Sequence, residues 1–499
     1  MGSIDTGWAR EQGGAFGAER ANRVARNAVT SMNVMAAARD YTRMRTYHDT
    51  YGVSIKRVGE VTNQRQSGRC WMFSAFNVAR AATMDLLDVD SFEFSQAFGM
   101  FYDKLEKANA MLDQVIALVD RPENDRKLDH VLEWGMSDGG YYFEAMDLIA
   151  KWGLVPKDAM PETACSKSSA EMDAQLNRLL RRAAADIRRA YRAGAGAGAG
   201  ELAAKKASCM ADVYRMLAVC LGEPPVTFDL EVKVGKKAKV DAAKLTPILP
   251  EDTPGKDGEA SVETKDDSKA AGAKDADGDG RMLLRDAGIT PREFAERYVP
   301  FDPNDYVQLV CMPGASRPWK TAWHVLLEEP MVGGTPNRFL NMPQEVLEQA
   351  AIASLKAGVP VGMDADVMQE FPRHIEDFPG VLATDGLDLE GLFGMDLRMS
   401  REDMLDVRET SLTHAMTFQG VELDDAGEPV AWRVENSWGK DACKDGYLYM
   451  SAEWFRTYGG AVTVMRRFVP EDVLELWDKA EAVDVEPWDS VAAALGVRS

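Results

Sequence analysis

Two short stretches carry residues whose types and spacing suit one chemistry. The first is Gln64-Arg65-Gln66-Ser67-Gly68-Arg69-Cys70-Trp71. A thiol attacks weakly until it becomes a thiolate, and the first turn of a helix together with a histidine partner favours that anion. Gly68 lets backbone approach a substrate with no side chain in the way. Gln64 offers an amide N–H beside the Cys70 backbone N–H, the two donors an oxyanion needs. The second stretch places His414 in Ser411-Leu412-Thr413-His414-Ala415-Met416 and Asn436 in Val434-Glu435-Asn436-Ser437-Trp438-Gly439. A histidine base needs a neighbour that fixes its tautomer; Asn436 accepts from the ring, and Trp438 covers that bond. A buried cysteine, a core histidine, a turn asparagine and a core tryptophan would each explain one residue. Their conjunction points instead to a nucleophile, a base and an orienter.

The elements that must position these groups are legible in part. Residues 19–50 read as an amphipathic helical arm. Cys70 opens an apolar helix through Phe73, Phe76 and Val78 towards Leu86 and Leu87, followed by helices near 95–119 and 142–152. Two further helices, near 170–192 and 201–221, flank an alternating Ala-Gly repeat over 193–200, read as a flexible joint because each Gly disfavours helix. Residues 226–234 read as a strand. From about 250 to 280 the chain is rich in Asp, Glu, Lys, Gly and Ala, too polar to offset its ordering entropy, and is expected to be a solvated loop. Thr290-Pro291-Arg292-Glu293 carries the signature of a capped helix start. The last third is strand-rich, with strands near 416–421, 430–434 and 446–450. Helices first and strands later give an α+β architecture with two unlike halves.

Composition narrows the setting. The 499 residues carry a formal net charge of −22, which repels phosphate backbones and anionic lipid, so neither nucleic acid nor a membrane is an expected partner. The same charge favours substrates with a free amino terminus. No run approaches the roughly 18 apolar residues of a membrane span, and residues 1–30 lack a signal-type apolar stretch. Met1-Gly2-Ser3-Ile4-Asp5-Thr6 fits the short myristoylation pattern, a match that chance supplies readily. The six cysteines form neither a disulfide framework nor zinc-finger pairs, which suits a cytoplasmic home. Asp275-Ala276-Asp277-Gly278-Asp279-Gly280 has the opening of an EF-hand loop, with Asp286 in the twelfth place; a solvated loop is the reading, and no metal or other cofactor is expected. His48, His130, His324 and His374 show no neighbours that suggest ligation.

The segments around Cys70 and Asn436 resemble the papain fold, and others narrow the likeness to the bleomycin hydrolase and bacterial aminopeptidase C family. These are residues 24–30, Phe92-Glu93-Phe94-Ser95-Gln96, Lys104-Leu105-Glu106-Lys107-Ala108-Asn109, Ser137-Asp138-Gly139-Gly140, and Val155-Pro156-Lys157 with Met160-Pro161-Glu162-Thr163. The resemblance covers nearly the whole chain apart from the acidic loop. It implies a two-lobed papain-like fold with a large helical insertion: an N-terminal arm to residue 57, a helical lobe over 58–165, the insertion over 166–300, a strand-rich lobe over 301–470 and a C-terminal arm over 471–499. It implies Cys70 as nucleophile, His414 as base and acid, Asn436 as orienter, Gln64 as oxyanion donor, and Gly139 and Gly140 as backbone partners of the substrate. It further implies a homohexameric ring acting on peptides from the amino end, with the terminal carboxylate, here on Ser499, holding the substrate's amino group. Residues 490–499 depart from the family's ending, which leaves endopeptidase or peptidyl-transferase action as an alternative, and a catalytically idle ring-shaped scaffold as a rival of another class.

Overall fold

The computed structural model describes residues 3–193, 198–248, 280–372 and 380–497. Helix α1 (Cys70–Leu87) begins at the cysteine, as its sequence requires, and residues 71–80 are buried without interruption. A helix apolar on every side belongs in the middle of a protein, and α1 lies between the two halves. Its few polar groups face the strands: Ser74 Oγ donates to the Met416 carbonyl at 2.6 Å, and Arg80 pairs with Glu435 at 2.5 Å.

On one side of α1 stand α2 (Gln96–Ala117), capped by Ser95, α3 (Arg126–Trp134) and α4 (Tyr142–Trp152). The helices α5 (Ala170–Ala193) and α6 (Ala199–Leu221) form an antiparallel hairpin that shares a core with α2 through Leu112, Val115, Leu176, Leu180, Val213 and Leu217. The joint between them is described only in part, since residues 194–197 lie outside the described set. The block expected to be a helical insertion is not helical throughout. Phe228–Val234, Leu245–Pro247 and Met282–Ile289 form a three-stranded sheet whose inner residues Leu230, Val234 and Leu284 pack towards α1. The expected capping box at Thr290 and Glu293 is present. Most of the acidic loop lies outside the described residues. Asp286 does not face a vacant loop: it accepts from Lys244, Arg297 and Tyr298. The N-terminal arm is broken rather than continuous, into Thr6–Ala18, Arg20–Val29, Val34–Ala38 and Tyr41–Met44. Asn33 and Asp40 each accept from amides of the following turn, and such caps start new helices.

On the other side of α1, an eleven-stranded sheet has at its centre β1 (Tyr306–Val310), β2 (Val361–Ala365), β3 (His414–Leu423), β4 (Pro429–Glu435), β5 (Tyr447–Ser451) and β6 (Gly459–Met465). They run in the order β1-β6-β2-β3-β4-β5, and β2 and β3 pair antiparallel with His414 opposite Ala365 and Ala415 opposite Asp364. Strand β3 is buried over 414–421 on both faces, which is why its apolar alternation is faint in the sequence. After the sheet, Ala482–Val485 pairs with Thr321–Val325, and the chain then crosses to the helical side. There Lys127 of α3 holds Glu486 at 2.8 Å, and Arg126 stacks on Trp488 at 4.3 Å. A short helix, Ser490–Ala494, leads back to the cleft. Among the described residues no helix is long and apolar enough to cross a membrane.

Candidate active site

The nucleophile's loop is fixed from behind before anything faces the cleft. Arg69, fully buried, makes a two-pronged pair with Glu162 at 3.0 Å on each prong and also reaches the Ser166 carbonyl. Asp138 accepts from the Gly68 amide at 2.9 Å, while its carbonyl takes the Trp71 indole N–H at 2.8 Å. Lys104 keeps Asp138 ionised, holding its carboxyl far below the usual range against the opposing pull of burial. The residues that aim Cys70 are thus themselves clamped by charge-assisted bonds.

Cys70 then stands at the start of α1, where the backbone amides of Ala415, Trp71 and Cys70 itself favour its thiolate. His414 opens β3 and donates from Nε2 to Asn436 Oδ1 at 2.8 Å. That oxygen also accepts from the Ser437 amide at 2.8 Å, which identifies it as an acceptor and places the ring proton on Nε2. Nδ1 therefore carries a lone pair. Gln64 is oriented by two bonds: Oε1 accepts from Ser437 Oγ at 2.5 Å, and Nε2 donates to the Ser67 carbonyl at 2.6 Å. The second Nε2 proton remains for a ligand. Burial pushes the Cys70 thiol up to about 11 and the His414 ring down to about 4, with the Asn436 bond opposing the latter. Each group alone is neutral at pH 7. The anion and cation arise together, when their attraction and the amides at the sulfur offset the desolvation.

Gln64, Cys70 and His414 line one cavity of about 440 Å³, together with Gly139 and Gly140. A side chain at Gly140 would put its Cβ 2.5 Å from Glu144 and 2.7 Å from Trp71, so glycine is required there. The Gly139 carbonyl already accepts from Lys107 Nζ at 2.6 Å, so one of its lone pairs is spent inside the protein. Trp438 covers the base, as expected, but is not placed to touch substrate. Its ring lies 5.2 Å from that of His414 and stacks on Phe371 at 6.0 Å, but it does not line the cavity. It shields the His414–Asn436 bond from behind, because its neighbours Asn63 and Gly439 hold it on the strand side. Ser499 lies outside the described residues; Leu495, Gly496 and Val497 do line the cavity.

Sequence reasoning passed over several groups at this cavity. His130, taken as unremarkable, is buried on its wall and shares a 2.8 Å bond with Glu328, a partner remote in sequence. Glu144 is pushed up to about 8 by burial, against the pull of Lys107. Gln308 on β1 and Asp364 on β2, two strands with β6 between them, both stand on the wall. For Asp364 a signal existed: a carboxylate inside the otherwise apolar Val361-Gly362-Met363-Asp364-Ala365. His324, half-buried, bonds Asp484 and Glu329, the latter on the cavity wall, but does not itself line the cavity, and His374 lies outside the described residues.

The model of the Peptidase C1-like family matches residues 7–249 and 276–492. The chain belongs to the Peptidase C1-like family. This cysteine peptidase is 33% identical over 476 residues to aminopeptidase W of Lactobacillus delbrueckii subsp. lactis, covering 95% of this chain and 96% of that one. Aminopeptidase C of Streptococcus thermophilus is 32% identical over 468 residues, 94% and 93% of the two chains. The crystal structure of PepW from Lactobacillus rhamnosis superposes with a TM-score of 0.84 at 30% identity, covering 98% of each chain. The α+β, papain-like fold expected from the sequence is the fold of this family member.

Proposed function

We propose that this cysteine aminopeptidase removes residues from the free amino ends of peptides through a thiol acyl-enzyme. The observation that carries the reading is the meeting of Cys70 and His414 in a cavity whose wall includes the chain's own Leu495, Gly496 and Val497. A cleft partly filled by its own tail has room for a short stretch of substrate on the amino side of the cleaved bond. Cys70 attacks the carbonyl carbon while His414 Nδ1 takes the thiol proton. The oxyanion accepts from the Cys70 amide and the remaining Gln64 Nε2 proton. His414 then protonates the leaving amine, and next activates the water that releases the acyl group. Asn436 keeps the ring in the tautomer this needs, and Gly139 and Gly140 flank the substrate backbone.

A ring of six copies and a cytoplasmic setting belong to the same proposal. Thr6–Ala18 buries none of its residues within the single chain while exposing Trp8 and Phe16, which supports a contact between copies. All six cysteines are free thiols, which supports a reducing compartment. The deciding experiment is hydrolysis of fluorogenic aminoacyl amides, with and without an N-acetyl block, by wild type and Cys70→Ser. Cleavage of the free-amine substrates alone, lost in Cys70→Ser, is the expected result. Equal cleavage of blocked substrates makes the protein an endopeptidase; no Cys70-dependent turnover, with no reaction towards a thiol-directed affinity label, makes it a scaffold.

A further inference from the structure

Strand β2 turns two faces to different surroundings. Met363 points into the core beneath the sheet, whereas Gly362 lies against Tyr142 and Ser74 on the helical side. Asp364 lines the cleft cavity together with Cys70 and pairs across the strands with Ala415, whose amide favours the Cys70 thiolate. Among the described residues no cation forms an ion pair with Asp364. Its one side-chain hydrogen-bond partner among the described residues is Gln308 Nε2, at a long 3.5 Å. Gln308, 5% exposed and also on the cavity wall, keeps a buried Oε1 that finds no hydrogen-bond donor.

A half-buried carboxylate without a cation and a buried amide oxygen without a donor both carry a desolvation cost. Here they sit on one wall, beside the nucleophile, and both are acceptors. A ligand that repays them brings several N–H donors and a positive charge. Resting on the proposed aminopeptidase reading, we infer that Asp364, with Gln308 Oε1, receives the α-ammonium group of the substrate, the role that the family resemblance gives to the terminal carboxylate. The amino nitrogen of the residue being cleaved is two bonds from the carbonyl carbon that Cys70 attacks. An acceptor pair on the strand position facing Ala415 is therefore placed at the amino end of the first subsite. Burial holds the Asp364 carboxyl up at about 7, and an arriving ammonium drives it to the ionised form.

The test is steady-state hydrolysis by Asp364→Asn, which keeps the shape and removes the charge. Leucyl, alanyl and arginyl amides with free amino ends are compared with their N-acetyl forms, wild type first. For the variant, KM for all three free-amine substrates should rise about tenfold or more while kcat changes little. Alkylation of Cys70 by iodoacetamide, which has no ammonium, should stay as fast or quicken, showing an intact site. If Asp364→Asn fails to fold, Gln308→Leu, close in size, should raise the same KM values about threefold. Free-amine KM values within about twofold of wild type overturn the inference. A loss confined to the arginyl amide also overturns it, assigning the carboxylate to a basic side chain. Wild type that cleaves blocked and free substrates alike overturns the aminopeptidase reading itself, whereas a wild type that demands a free amine beside an unaffected variant sinks only the role of Asp364.

Discussion

The Asn436 oxygen serves two donors at once, and that double duty makes the residue's contribution measurable. Asn436→Ala frees the His414 ring to turn and removes one charge-assisted bond worth about 1.5–3 kcal/mol once the ring is cationic. The expected outcome is kcat lower by about 10- to 100-fold with KM little changed. Gln64→Ala should cost more, about 10²–10³ in kcat, because an oxyanion donor acts on the transition state alone. Burial raises two wall carboxyls, Asp364 to about 7 and Glu144 to about 8. A carboxyl raised on folding binds a proton that the unfolded chain has lost above about pH 4. The folded state is therefore penalised increasingly as pH rises from 4 towards those values, and constantly above them. Asp364→Asn should accordingly gain more in melting temperature over wild type at pH 8 than at pH 5, as read by differential scanning calorimetry. Cys70, His414, Asn436 and Gln64 were legible because each type is scarce in its context and the spacing matched one chemistry. His130 and Asp364 were not singled out because what matters about them is a partner or a vacancy across the fold: Glu328 in one case, the missing cation in the other.

Among the elements, α1 joins the halves. Arg80 on its inner face reaches Glu435, the residue before Asn436, and also the Val58 and Glu60 carbonyls. Removing one member of a buried pair leaves the other charge unpaired, so Arg80→Ala should destabilise the protein by about 3–5 kcal/mol. A lowered melting temperature together with reduced kcat is the expected result, since Glu435 adjoins the orienter. The course of α1 was readable from its unbroken apolar run, and α5 and α6 from their length. The three-stranded sheet in the insertion was half seen: Phe228–Val234 was recognisable, whereas Leu245–Pro247 is too short to carry a pattern. The breaks in the N-terminal arm were hidden because a continuous apolar stripe outweighs single caps such as Asn33 and Asp40 when only periodicity is read.

At the scale of the molecule, the tail is sewn to both halves before it reaches the cleft. It pairs with Thr321–Val325 on the sheet, is gripped by Lys127 and Arg126 on α3, and then lays Leu495, Gly496 and Val497 along the cavity. A chain shortened after Ala494 should keep its fold, because the clasp precedes the cut. It should gain cleavage of N-acetylated substrates, measured beside the free amines. The family resemblance, through Glu486-Pro487-Trp488-Asp489, implies an arm that runs into the cleft, but no local pattern announces its grip, since the residues that hold the tail belong to a helix far earlier in the chain.

The sewn tail has one more effect. Because it is carried by the same molecule, its local abundance at the cleft is fixed by the tether, on the order of millimolar, whatever the protein's own dilution. A peptide that needs the tail's place must outcompete a neighbour that never diffuses away. Short peptides that fit beside it meet no rival, while long chains running through the cleft do, and that sorting by length survives at any enzyme concentration.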